Sequence, residues 1–99
     1  MFTATAKICL HLPSGGTLKD KRMIVKSVIG RLKGKFNVSA AEVDRQDNKQ
    51  MAVIGIAVVS NGRTFTISQM DTILNFIYND GRFYVGDVKK DVSAFEENQ

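Results

Sequence analysis

What the sequence lacks bounds it first. Among 99 residues there is one cysteine (Cys9), one histidine (His11), one proline (Pro13) and no tryptophan. A single thiol excludes a disulfide within the chain, and with one imidazole no Cys and His spacing matches a zinc site. No metal and no cofactor are therefore expected. No apolar run approaches the roughly 20 residues that a membrane span needs, and the opening residues lack a basic stretch followed by an apolar one. Membrane insertion and secretion are not expected, and a reducing cytoplasm is the natural setting.

What is present describes a small basic globular protein. Charged residues make up 24% and hydrophobic residues 43%, ordinary usage for a chain that folds, and one domain over residues 1–99 is expected. Fourteen Lys and Arg outweigh ten Asp and Glu, a formal charge of +4. Such an excess suits a polyanion such as RNA, and it equally serves solubility alone. The placement of the charge decides more than its sum.

The first run has period two. Phe2, Ala4, Ala6, Ile8, Leu10 and Leu12 fall on one side, and Thr3, Thr5, Lys7, Cys9 and His11 on the other, which is a strand with one buried face. Pro13 ends its ladder, and Ser14, Gly15 and Gly16 supply a turn. Thr17 reads as a helix N-cap with Asp20 three residues on. Leu18, Val25, Val28, Ile29 and Leu32 then recur at helical spacing as far as about Lys33, with Gly34 placed for a left-handed stop. Gly30 inside this helix costs about 1 kcal/mol relative to alanine without an evident reason.

Residues 36–44 read as a second strand whose apolar phase slips between Ala40 and Ala41, the mark of a bulge. Met51 to Val59, nearly unbroken and rich in β-branched residues, is a central strand. Arg63 to Asn79 is a second helix that stops at Asp80 and Gly81, and Arg82 to about Val88 is the last strand. The polar tail, residues 91–99, is expected to fray. Strand, helix, strand, strand, helix, strand is the α+β, ferredoxin-like βαββαβ sandwich, an antiparallel sheet of order 4-1-3-2 with both helices on one face. The other face is left open, and Thr5, Lys7, Cys9 and His11, by the alternation, and Tyr84 are expected on it.

The first helix carries the charge. Lys19, Arg22, Lys26 and Lys33 recur at spacings of three, four and seven, so they form one stripe, with Lys21, Arg31 and Lys35 on its flanks. Asp20 is the only carboxylate between Leu18 and Lys35. A solvated helix face usually mixes signs, so this one favours phosphate contacts, with His11 at its base. The Ser14-Gly-Gly-Thr17 turn matches neither GxxxxGK[ST] nor GxGxxG, and its glycines are turn chemistry. Gly81-Arg-Phe-Tyr-Val85 has the flavour of an RNA-recognition signature, but it sits on the last strand and the third strand has no aromatic residue. Glu42, Asp44, Asp47 and His11 would serve an enzyme only if the fold drew them into one pocket.

Taken together, Leu10-His-Leu-Pro13, Thr17-Leu-Lys-Asp-Lys-Arg22, Phe36-Asn-Val-Ser39, Ala41-Glu-Val-Asp44, Gln46-Asp47 and Ala52-Val-Ile-Gly55 resemble the YlxP-like bacterial family of unknown function, over roughly residues 4–90. The departures are small: the family often has Ser at 17, Glu at 20, an aromatic near Lys49 and other residues than glycine at 30 and 34. The resemblance implies a ferredoxin-like fold and a cytoplasmic bacterial protein. Its members are commonly encoded beside translation and ribosome-maturation factors, which implies an RNA or ribosomal-subunit partner. It carries no catalytic residues to transfer. Beside that reading stands a protein-interaction module, a homodimer through the open sheet face, and, third, a small-molecule enzyme.

Overall fold

Everything in the fold is built on the first strand. A computed structural model describes residues 1–96, in the order β1 (Phe2–His11), α1 (Leu18–Lys35), β2 (Ser39–Asp44), β3 (Met51–Ser60), α2 (Arg63–Tyr78) and β4 (Tyr84–Ala94). The sheet runs β2-β3-β1-β4, and every pairing is antiparallel. This is the expected α+β architecture and strand order.

The alternation along β1 decides the two faces of the sheet. Ala4, Ile8 and Leu10 are fully buried, and with Ala6 they meet Ile54, Ile56 and Val58 of β3 beneath the helices. From α1 come Val25, Val28 and Leu32, and from α2 come Met70, Ile73, Leu74 and Ile77. Burying such side chains contributes about 1.5–3 kcal/mol each against the entropy of ordering the chain. The opposite face carries Thr5, Lys7, Cys9 and His11, as the alternation requires, with Tyr84 beside His11 in register. No helix among the described residues is long and apolar enough to cross a membrane.

Several boundaries differ from the sequence reading. Helix α1 continues to Lys35 and stops at Phe36, whose extended backbone (φ −127°, ψ 152°) breaks the run, so Gly34 is an interior residue and not the left-handed stop. Strand β2 begins at Ser39, because Phe36 and Val38 turn instead onto the core. Its bulge falls between Glu42 and Asp44, two residues later than the slip of apolar phase suggests. Strand β4 extends to Ala94, where Asp91, Val92, Ser93 and Ala94 pair with Thr5, Ala4, Thr3 and Phe2. Residues 91–94 are therefore ordered strand; residues 97–99 lie outside the described residues.

Candidate nucleic-acid interface

The start of α1 explains itself locally. Thr17 Oγ1 accepts the Asp20 amide at 3.0 Å, and Asp20 Oδ2 accepts the Thr17 amide at 3.0 Å, a reciprocal capping box. Hydrogen bonds from the Thr17 backbone and side chain hold the Asp20 carboxyl below its ordinary range. The positive end of the helix is thus already answered by the chain's own carboxylate, which leaves little there for a phosphate. Gly15, at φ +87°, takes the left-handed conformation that the preceding turn needs.

Along α1 the cations divide. Lys19, Arg22, Lys26 and Lys33 are all exposed, and among the described residues none of them makes an ion pair. The flanks are occupied. Arg31 lies 5.3 Å from the centre of the Phe76 ring and 3.6 Å from Asp80, and Lys35 lies 5.0 Å from the same ring, which meets Phe36 edge-on at 5.7 Å. Asp80 also accepts two hydrogen bonds from the Arg82 side chain, at 2.6 and 2.7 Å, and one from its backbone amide at 3.3 Å, and these hold its carboxyl below the ordinary range. The remaining guanidinium nitrogen donates to Ser27 Oγ at 3.1 Å and fastens the turn after α2 onto α1.

Lys21 corrects the sequence reading outright. It is 1% exposed, inside the core face of α1, and does not flank the solvent stripe. Its ammonium stands 2.9 Å from Glu42 Oε2 and donates to the carbonyls of Arg45 and, at 3.3 Å, Gln46. The Glu42 contact has the distance of an ion pair without the directionality of a hydrogen bond. One helix residue therefore pins the β2–β3 connection, in which Arg45 sits at φ +62°, a conformation few non-glycine residues adopt. The signal was available: Lys21, Val25, Val28 and Leu32 follow at four, three and four, so position 21 continues the apolar stripe.

His11 is also displaced from the expected constellation. It lies on the open sheet face, on the other side of the sheet from α1. Its ring stands over Gly86, where a Cβ would overlap it, and its Nε2 is 3.7 Å from Cys9 Sγ. The acidic candidates are equally dispersed. Glu42 points to the core side and is engaged by Lys21, Asp47 is exposed on the connection, and Asp44 lines a shallow cavity of about 220 Å³ with Lys7, Cys9, Asp87 and Lys89. Glu42, Asp44, Asp47 and His11 are thus not gathered in one pocket. No group of three metal-ligating side chains occurs among the described residues.

A family model described as "Protein of unknown function (DUF503)" matches residues 3–90. Over 62 residues the chain is 42% identical to the uncharacterized protein YlxP of Bacillus subtilis (strain 168), an alignment spanning 63% of this chain and 67% of that protein. The matched residues run from β1 into β4 and include both helices and the buried Lys21, and the chain accordingly belongs to the DUF503, YlxP-like family.

Proposed function

We propose that this protein is a non-enzymatic, cytoplasmic RNA-binding accessory that holds ribosomal RNA or a ribosomal subunit by its phosphates, through Lys19, Arg22, Lys26 and Lys33. The observation that carries the reading is the unmixed outer face of α1. Four cations project into solvent, Asp20 is engaged in the cap, and the remaining basic residues of the helix already have partners. Cations left unneutralised on a rigid helix are suited to a spaced row of phosphates, whose counterions they displace. The translation context implied by the family resemblance supports the same class of partner.

The test is a titration of fluorescently labelled ribosomal RNA fragments across a salt series. Four phosphate contacts give a slope of log affinity against log salt of about −3. The triple substitution Lys19→Glu, Arg22→Glu and Lys26→Glu is expected to flatten that slope and weaken binding at low salt, with an unchanged circular dichroism spectrum. Equal binding by the two proteins would remove the reading.

A further inference from the structure

The open face of the sheet is divided in two. Its β2–β3 half is apolar or small as far as the β2 bulge, with Ala41, Val43, Ala57, Val59 and the 8% exposed Val53, and Val43 lies so close over Gly55 that a Cβ there would stand 2.9 Å from it; past the bulge Asp44 pairs with Val53 on the same face. Val43, near the end of the edge strand β2, and Val59, near the end of β3, are 49% and 57% exposed, so branched apolar side chains stand in solvent on this face. The β1–β4 half carries Lys7 directly opposite Lys89, with Asp87 and Asp91 on either side along β4. Like charges placed opposite each other destabilise a sheet. Among the described residues none of these four charges makes an ion pair.

We infer that this face is the contact surface of a homodimer, its occupant a second copy of the same chain. Charge favours a copy over a polyanion. The chain as a whole carries +4, but on this face Lys7, Arg45 and Lys89 balance Asp44, Asp87 and Asp91, so two copies meet there without net repulsion. The pattern is also self-complementary. A two-fold axis lying between the sheets, across the strands and between Lys89 and Asp91, sets Lys89 on Asp91 of the partner subunit and Asp91 on the partner's Lys89. The same operation lays the apolar half on its own copy, Val53 against the partner's Val59.

Area points the same way. Four strands about 4.8 Å apart, three of them about 35 Å long and β2 about 20 Å, present on the order of 600 Å² per copy. Two copies bury about 1,200 Å², the lower end of the range for specific interfaces, consistent with a micromolar dimer. Dimerisation through the β4 edge is disfavoured, because that strand carries Asp87, Lys89, Lys90 and Asp91. The inference is independent of the RNA reading, since the face and the basic stripe lie on opposite sides of the molecule.

Sedimentation velocity across a dilution series tests it. The wild-type protein is expected to pass from one chain to two with a midpoint on the order of 10 μM. Val59→Lys, at an exposed position, abolishes the dimer. Lys89→Asp and Asp91→Lys each weaken it about tenfold, and the double exchange restores it, because each partner then presents the reversed pair. Lys26→Glu leaves it unchanged. Overturning results are a wild-type protein that stays a single chain at about 200 μM, far above that midpoint, a dimer indifferent to Val59→Lys, or one lost on Lys26→Glu.

Discussion

The inner and outer faces of α1 hold the same kind of residue in opposite circumstances. On the inner face Lys21 is enclosed, its ammonium held by Glu42 and two carbonyls of the β2–β3 connection. On the outer face Lys19, Lys26 and Lys33 stand in solvent with no carboxylate paired to them among the described residues. A buried ammonium is tolerated only where its partners are already in place, so Lys21 specifies the position of a loop. An exposed ammonium orders nothing around it and stays free for an incoming anion. Helical phase separates the two roles, and the residue type does not.

The largest way to break that contrast is Lys21→Met. It strands the partly buried Glu42 and two carbonyls, and it is expected to destabilise the fold by about 3 kcal/mol in urea titration. Adding Glu42→Gln recovers part of that loss, because no charge is then left unpaired. On the outer face Gly30 has open space where a Cβ would stand, so Gly30→Ala is expected to raise stability by up to about 1 kcal/mol. A fall in RNA affinity accompanying that gain would mark Gly30 as a point of close approach. The smallest effect needs acid to be seen. Asp80 titrates lower in the folded protein than unfolded, so its contribution is complete above about pH 4 and is lost as the pH falls through the lower, folded value. Arg82→Gln is expected to reduce stability at neutral pH and to flatten that acid-side dependence.

The fold was largely legible because its strongest signals are periodic. The alternation from Phe2 to Leu12 and the β-branched run from Met51 to Val59 named the two central strands, and their partners followed from handedness and order. Ends were harder to place. Gly34 looked like a stop, but a glycine ends a helix only when its backbone is needed left-handed, and the extended Phe36 did that work instead. The polar composition of residues 91–94 concealed a strand whose pairing is supplied by β1, at the other end of the domain and far beyond any local cue. At the candidate site the outer stripe was legible, since helical spacing alone generates it. Lys21 was less plain, because its charge masks its place in the apolar phase, whereas the separation of His11 from α1 is already implied by the alternation that puts it on the open face.

Strand β1 occupies the middle of the sheet, yet it pairs only with β3 and β4, and the Met1 amine meets the Phe95 carbonyl at 3.2 Å across a separation of 94 residues. The first of the four strands in sequence is thus among the last to acquire its neighbours. Until β3 is made, its apolar side has only α1 to lean on, and until β4 arrives one of its edges is bare. High contact order of this kind slows folding relative to a helical bundle of the same length and lengthens exposure of a sticky edge. The sheet thus closes only when its first strand meets its fourth, and its integrity rests on that pairing.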